Sequence, residues 1–155
     1  MEMRRKDRKL SEEETVQLLK ECEYGVLSTM SEDGTPYGLP ISFAYKDGVI
    51  YMHGARAEGH KIVNIKDCAR ASFTVVDHTE VLPQSFATKY MSAIAFGNVS
   101  IVENEVEMRR GMEAILHKYS SDFLESGMKY IDKAIDKIYV LKFEIDELSG
   151  KGRKK

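Results

Sequence analysis

Gly25-Val-Leu-Ser-Thr-Met30, Tyr37-Gly-Leu-Pro-Ile-Ser-Phe-Ala-Tyr45 and Val49-Ile-Tyr-Met-His53 are three strand-like runs, separated by Glu32-Asp33-Gly34 and Lys46-Asp47-Gly48. Asp-Gly supplies the positive-φ residues of a tight hairpin turn, so the three runs read as an antiparallel meander. Further on, Ala71–Val76, Ala93–Val102 and Ile138–Ile145 repeat the same apolar, β-branched character. Six strands is a barrel-sized number, and the fold class that follows is mainly β with flanking helices.

Between and around these runs the period changes. Ser11-Glu-Glu-Glu14 is a capping box, and Val16, Leu18, Leu19 and Cys22 continue it as an apolar stripe ending near Glu23. Gly54 to Gly59 is a glycine-bounded loop leading into a short helix that begins at His60-Lys61 and carries Ile62 and Ile65. Asp77 to Lys89 contains Pro83 and little periodicity, which predicts a long loop. Met108, Met112, Ile115, Leu116 and Tyr119 mark an amphipathic helix, Met128 to Ile135 a shorter one, and Gly150 to Lys155 a tail. Neither a repeat nor a linker interrupts the chain, so residues 1–155 are expected to form one domain.

Composition narrows the function classes. With 155 residues, 43% hydrophobic and 31% charged, the chain has the makings of a real core without disulfide staples. Met1–Lys9 holds five basic and two acidic residues and Lys151–Lys155 four basic ones, which leaves −9 on the body between them out of the net −2. An acidic body offers no broad basic face for phosphate backbones, so no nucleic-acid partner is expected. No apolar run is long enough to span a bilayer, no signal-peptide stretch opens the chain, and a cytoplasmic location is expected. Cys22 and Cys68 are far apart without a CxxC pattern and read as buried free thiols. His53, His60, His78 and His117 fit no zinc spacing, so no metal site is expected. Ser28 and Ser42 lie in no GxSxG elbow. Catalysis would then rest on a cofactor.

Two places can hold one. A helix N-terminus presents unpaired amides and a partial positive charge, and Lys61 adds a cation where the dipole disfavours it unless an anion is near. That pattern fits a phosphate, and equally a solvated surface lysine. Ser28, Thr29 and Ser42 sit among apolar neighbours on adjoining strands, a wall suited to a flat heterocycle or to no ligand at all. Pro40 inside its run implies a bulge or an unpaired edge.

The ordered series GVLST, PYGLPISFAY, IYMHGARAEGHK, ASFTVV and AIAFGNVSIVE resembles the FMN-binding split β-barrel proteins related to pyridoxamine 5'-phosphate oxidase. Met3-Arg-Arg-Lys6 and the HGAxxGHK-like segment resemble the nitroimidazole-resistance branch within them. The resemblance runs from about Met3 to Glu147 and implies a six-stranded antiparallel split barrel that forms a homodimer with FMN at the subunit interface. It implies that Val26, Leu27, Ser28 and Thr29 line the isoalloxazine and ribityl side, with Pro40, Ile41 and Ser42 on the adjoining strand. His53, Gly54 and Ala55 would approach the ribityl chain, and His60 and Lys61 the phosphate. Tyr90, Met91 and Ser92 resemble the stretch given by the partner subunit. Met91 stands where many relatives carry a basic residue, and the C-terminal substrate-binding motif of the pyridoxamine phosphate oxidases has no counterpart. The activity implied is therefore reduction of a small-molecule acceptor such as a nitroaromatic rather than vitamin B6 oxidation. His53 and His60 are the candidate acid–base groups, because histidines titrate near neutrality. Two other readings remain: a flavin-binding protein without turnover, and a haem-binding split barrel.

Overall fold

The computed structural model describes residues 1–155. Its strands are β1 (Gly25–Met30), β2 (Pro36–Ile41), β3 (Ala44–Lys46), β4 (Val49–Ala55), β5 (Arg70–Leu82), β6 (Ala87–Ile101) and β7 (Ile138–Arg153). The helices are α1 (Glu12–Glu21), α2 (His60–Asp67), α3 (Glu105–Tyr119) and α4 (Leu124–Ala134). All strand pairs are antiparallel, in the order β2-β1-β5-β6-β7-β4-β3. The two edge strands, β2 and β3, are joined only by Ser42 and Phe43. A sheet whose outermost strands are two residues apart in sequence has to curl until its edges meet, so the seam of the split barrel lies at Ser42-Phe43.

This architecture corrects the sequence reading in four places. The run from Tyr37 to Tyr45 is two strands, which makes the sheet seven-stranded rather than six-stranded. The meander is instead two hairpins at opposite ends of the sheet order: β1 pairs with β2 and β3 with β4, while β2 and β3 do not pair. The Asp-Gly turns do form, with Gly34 at φ 85° and Asp47-Gly48 at φ 48° and 82°. Asp77–Lys89 is the end of a long β5–β6 hairpin and not a loop, its ladder continuing from Glu80↔Lys89 to Leu82↔Ala87 beyond a bulge. The expected tail at Gly150 continues β7 as far as Arg153, paired with Tyr90–Ala93.

Burial explains which faces are used. A core of 17 residues, among them Leu27, Phe43, Phe73, Ala95 and Phe143, fills the barrel, and α1 and α2 close it with Leu18, Leu19, Ile62 and Ile65. Ser11 caps α1 as its sequence implies, its side chain accepting from the Glu14 amide at 3.1 Å while its own amide donates to Glu14 Oε1 at 3.3 Å. A second core of 10 residues, including Tyr51, Met112, Ile115, Ile131 and Val140, seals α3 and α4 onto the outside of β3, β4 and β7. No helix covers the outside of β1, β2, β5 and the adjoining part of β6, where Val76 is 55% and Ile94 40% exposed. Both cysteines are free; Cys22 is buried as expected, but Cys68 is only half-buried.

Candidate functional site

β4 keeps its β7 partners as far as Ala55, whereas β3 accompanies it only from Val49 to Tyr51. Beyond Tyr51 the strand leaves the β3 side open, and the Arg56–Gly59 loop carries the chain into α2. Gly59 caps α2 without a side chain, its carbonyl accepting from the Ile62 and Val63 amides, and the His60 and Lys61 amides have no backbone acceptor. These are the orphan donors of a helix start. No acidic residue stands in that first turn. The Lys61 amino group folds back over Gly54, where a Cβ atom would come within 2.7 Å of Nζ. Gly54 thus leaves room for the ammonium group beside the free amides.

His53 precedes that glycine and lies across from Val140 of β7. Its Nδ1 is buried and has no hydrogen-bond partner. Burial, reinforced by the nearby Lys61 charge, holds the imidazole below its ordinary value, so it is neutral at pH 7. A buried polar atom without a partner costs about 1–3 kcal/mol, a cost removed when a ligand hydroxyl or water reaches it.

His60 faces the other way. Its Nε2 is 3.0 Å from Ser31 Oγ, and its ring stacks on Tyr37 with centroids 4.5 Å apart. Buried Asn64, one helical turn on, donates to Thr29 Oγ1 at 3.1 Å and to Ser31 Oγ at 3.4 Å. These side chains border a groove of ≈ 750 Å³ between α2 and the β1–β2 turn. The sequence reading does not single out Ser31, Tyr37 or Asn64. The available signal was Asn64, a polar residue on the same helical face as His60 within a run of isoleucines and valine.

The remaining candidates separate by face. Leu27 and Thr29 turn into the barrel, where Leu27 is fully buried and Thr29 holds Asn64, so these two offer no side chain to the outside. Val26 and Ser28 lie on the uncovered face opposite Pro40 and Gly38, and a Cβ on Gly38 would meet Val26 Cγ1 at 3.3 Å and Ser28 Oγ at 3.7 Å. Gly38 therefore leaves a flat floor between them. Pro40 pairs in register with Val26 on an edge strand, with no bulge. Ile41 packs against the barrel core, and exposed Ser42 sits in the seam. At the seam the Phe43 amide donates to Tyr119 Oη at 3.0 Å, and Lys118 Nζ donates to the Phe43 carbonyl at 2.9 Å.

Tyr90, Met91 and Ser92 are not brought to Lys61 within the chain. They pair with Arg153, Gly152 and Lys151, past the Gly25 end of β1, whereas α2 contacts β1 at its Met30 end. Gly54 and Lys61 do meet, and the Lys61 charge reaches His53, which lies across from Val140.

A free amide pair, an ammonium group without a carboxylate partner and a neutral imidazole with a free nitrogen suit a phosphate ester carrying hydroxyl groups, so these residues fit the phosphate end of a flavin nucleotide. Comparison with solved structures gives the same fold. A candidate 5-nitroimidazole antibiotic resistance protein from Bacteroides thetaiotaomicron superposes with a TM-score of 0.81 at 22% identity, over 93% of this chain and 86% of that one. A FAD-binding protein from Mesorhizobium loti gives 0.70 at 21%, over 95% and 98%. A FAD- and haem-binding protein from Mycobacterium smegmatis gives 0.78 at 18%, over 94% and 72%. No curated protein sequence matches the chain. The family described as pyridoxamine 5'-phosphate oxidase matches residues 11–152, from the cap of α1 to the last residue but one of β7. The split barrel and the spacing of its motifs therefore have one origin: the chain belongs to the pyridoxamine 5'-phosphate oxidase family.

Proposed function

We propose that the protein is an FMN-dependent oxidoreductase that reduces small planar acceptors such as nitroaromatics, and that it works as a homodimer with the flavin at the subunit interface. The cradle of Lys61, Gly54 and the free α2 amides carries this reading, because a cation in the first turn of a helix is favourable only beside an anion. When bound, the flavin supplies hydride transfer at its ring, chemistry no side chain offers.

The chain's own residues bind and orient. Lys61 and the His60 and Lys61 amides hold the phosphate, and His53 Nδ1 meets a ribityl hydroxyl. The flat strip over Gly38, edged by Val26 and Ser28, supports the ring. His60, steadied by Ser31 and Tyr37, lines the groove from which an acceptor approaches and can pass it a proton. The cradle offers one ammonium group and the free amides of one helix start, donors for a single phosphate, and the sequence lacks the dinucleotide fingerprint G-x-G-x-x-G, which supports FMN over FAD.

The absorption spectrum of the purified protein tests this. Flavin bands, FMN released on denaturation, and anaerobic reoxidation of the reduced protein by a 5-nitroimidazole faster than that of free FMN are expected. Release of FAD alone, a Soret band, or a colourless protein that ignores added FMN overturns the proposal.

A further inference from the structure

A serine hydroxyl and an imidazole, 29 residues apart in sequence, meet in the groove between α2 and the β1–β2 turn. His60 Nε2 stands 3.0 Å from Ser31 Oγ, hydrogen-bond reach for a nucleophile and its base. No local motif announces the pair, because only the docking of α2 brings it together. Both groups are reachable: His60 is exposed and Ser31 half-buried, on the wall of a groove of ≈ 750 Å³.

The surroundings supply the supporting roles. Tyr37 stacks on the imidazole with the two rings 28° from parallel, which fixes the plane in which Nε2 points. With the ring proton on Nδ1, the Ser31 hydroxyl donates to Nε2. The Thr35 amide donates to Asp33 Oδ1 at 3.0 Å, and bonds to Thr35 hold that carboxyl below its ordinary value. His60 is near enough for its charge to act in the same direction, so the Asp33 carboxylate favours the imidazolium that forms when His60 takes a proton. From the inner side Asn64 Nδ2, anchored on Thr29 Oγ1 at 3.1 Å, reaches Ser31 Oγ at 3.4 Å, a donor aimed at charge developing on oxygen. The Glu32 amide has no backbone acceptor and follows the serine directly, the place from which hydrolases donate to an oxyanion.

The geometry points to a second activity: Ser31 and His60 form a nucleophile–base pair that hydrolyses small uncharged esters of carboxylic acids in this groove. Ser31 Oγ attacks the ester carbonyl carbon and its proton passes to His60 Nε2. The bond from that carbon to the alcohol oxygen breaks, His60 returns the proton to the leaving alcohol, and the acyl group stays on Ser31. Water then attacks the same carbon and gives a proton to His60. Ser31 leaves, takes the proton back, and the carboxylic acid is released. The Tyr37 ring, Pro36 and exposed Val63 offer apolar surface to the ester, whereas Glu32 and Asp33 line the same groove and repel an anionic one. This activity goes beyond the flavin reading and shares with it only the groove and His60.

The test gives the purified full chain 4-nitrophenyl acetate without a reductant, so flavin turnover does not enter and each reading can fail without the other. Release of 4-nitrophenolate should continue past one equivalent and exceed that of Ser31→Ala and of His60→Gln by roughly tenfold or more, with the fold of both variants checked by circular dichroism. Quenched early, the wild type should carry its acetyl group on the peptide containing Ser31. Ser31→Cys keeps a nucleophile in place and should be acetylated there too, a readout that stands even if Ser31→Ala does not fold. The acetate ester should be cleaved about fivefold faster than the 4-nitrophenyl ester of succinate, whose free carboxylate meets Glu32 and Asp33. Equal rates in the wild type and Ser31→Ala, acetyl groups found only on lysines or on His60, an unmodified Ser31→Cys thiol, or release that stops at one equivalent overturns the hydrolase. Equal cleavage of the two esters overturns the uncharged substrate class.

Discussion

Lys61 opposes the dipole of its own helix, so its effect depends on what lies beside it. With a phosphate present, Lys61→Ala removes a charge-assisted contact of about 1.5–3 kcal/mol, roughly a ten- to hundredfold loss of FMN affinity. The flavin-free variant should unfold at the wild-type urea midpoint or slightly above it. Unchanged FMN affinity in a fluorescence titration refutes the phosphate contact. Lys118 is a different kind of lysine. It packs over the Phe43 ring with Nζ 3.7 Å from the centroid, and burial pushes it down to about 8 from 10.5. Between those values the unfolded chain binds the extra proton, so stability rises with pH. Cys22 opposes it: burial, then the charge of Asp77, pushes the thiol up to about 11 from 9.0, and stability falls as pH rises through that interval. Lys118→Met removes the rising contribution and also the nearby cation that moderates the upward push on Cys22, so the falling contribution stays. Urea midpoints measured from pH 7 to 11 should therefore decline from about pH 9 in the variant and stay flatter in the wild type; parallel profiles refute this account.

At the scale of elements, what could be read from the sequence was local. The capping box of α1 and the two Asp-Gly turns hold because each is decided within four residues. The end of the β5–β6 hairpin could not be read that way. From Val76 to Val81 the residues are exposed except for half-buried Asp77, so neither face carries the alternation that marks a strand. Gly150 and Gly152 look like tail residues, yet they are small because Thr15 and Leu10 press against them. Of the site, the His53–Lys61 segment was visible as one stretch, whereas the Ser31, Tyr37 and Asn64 contacts depend on α2 docking at the β1–β2 turn. Gly97 makes the same point energetically. A Cβ there would stand 2.0 Å from the Glu144 carbonyl oxygen at the β6–β7 register shift, so Gly97→Ala should destabilise by about 2 kcal/mol or more in urea unfolding. Gly34 meets nothing within 4 Å and is constrained only by its φ of 85°, so Gly34→Ala should cost about 1 kcal/mol. Equal effects of the two substitutions would show that the close approach at Gly97 is not what demands glycine.

For the whole molecule, two faces of the same sheet are treated differently: α3 and α4 seal one outer half, and the other shows Val26, Val76 and Ile94 to solvent. A patch of this kind is the surface on which a second copy would settle. Light scattering should give a dimer for the wild type and a monomer for Val76→Asp/Ile94→Asp; a wild-type monomer that still binds FMN would contradict a shared site. The strand order carries one more consequence, for biosynthesis. β7 is the only element between β6 and β4, so the β2-β1-β5-β6 and β4-β3 portions are stitched together by the last of the seven strands to be made. Until Ile138–Arg153 emerges, the nascent chain holds two sheet portions with bare strand margins and no ladder between them, and chaperone engagement during translation should persist until that segment has left the ribosome.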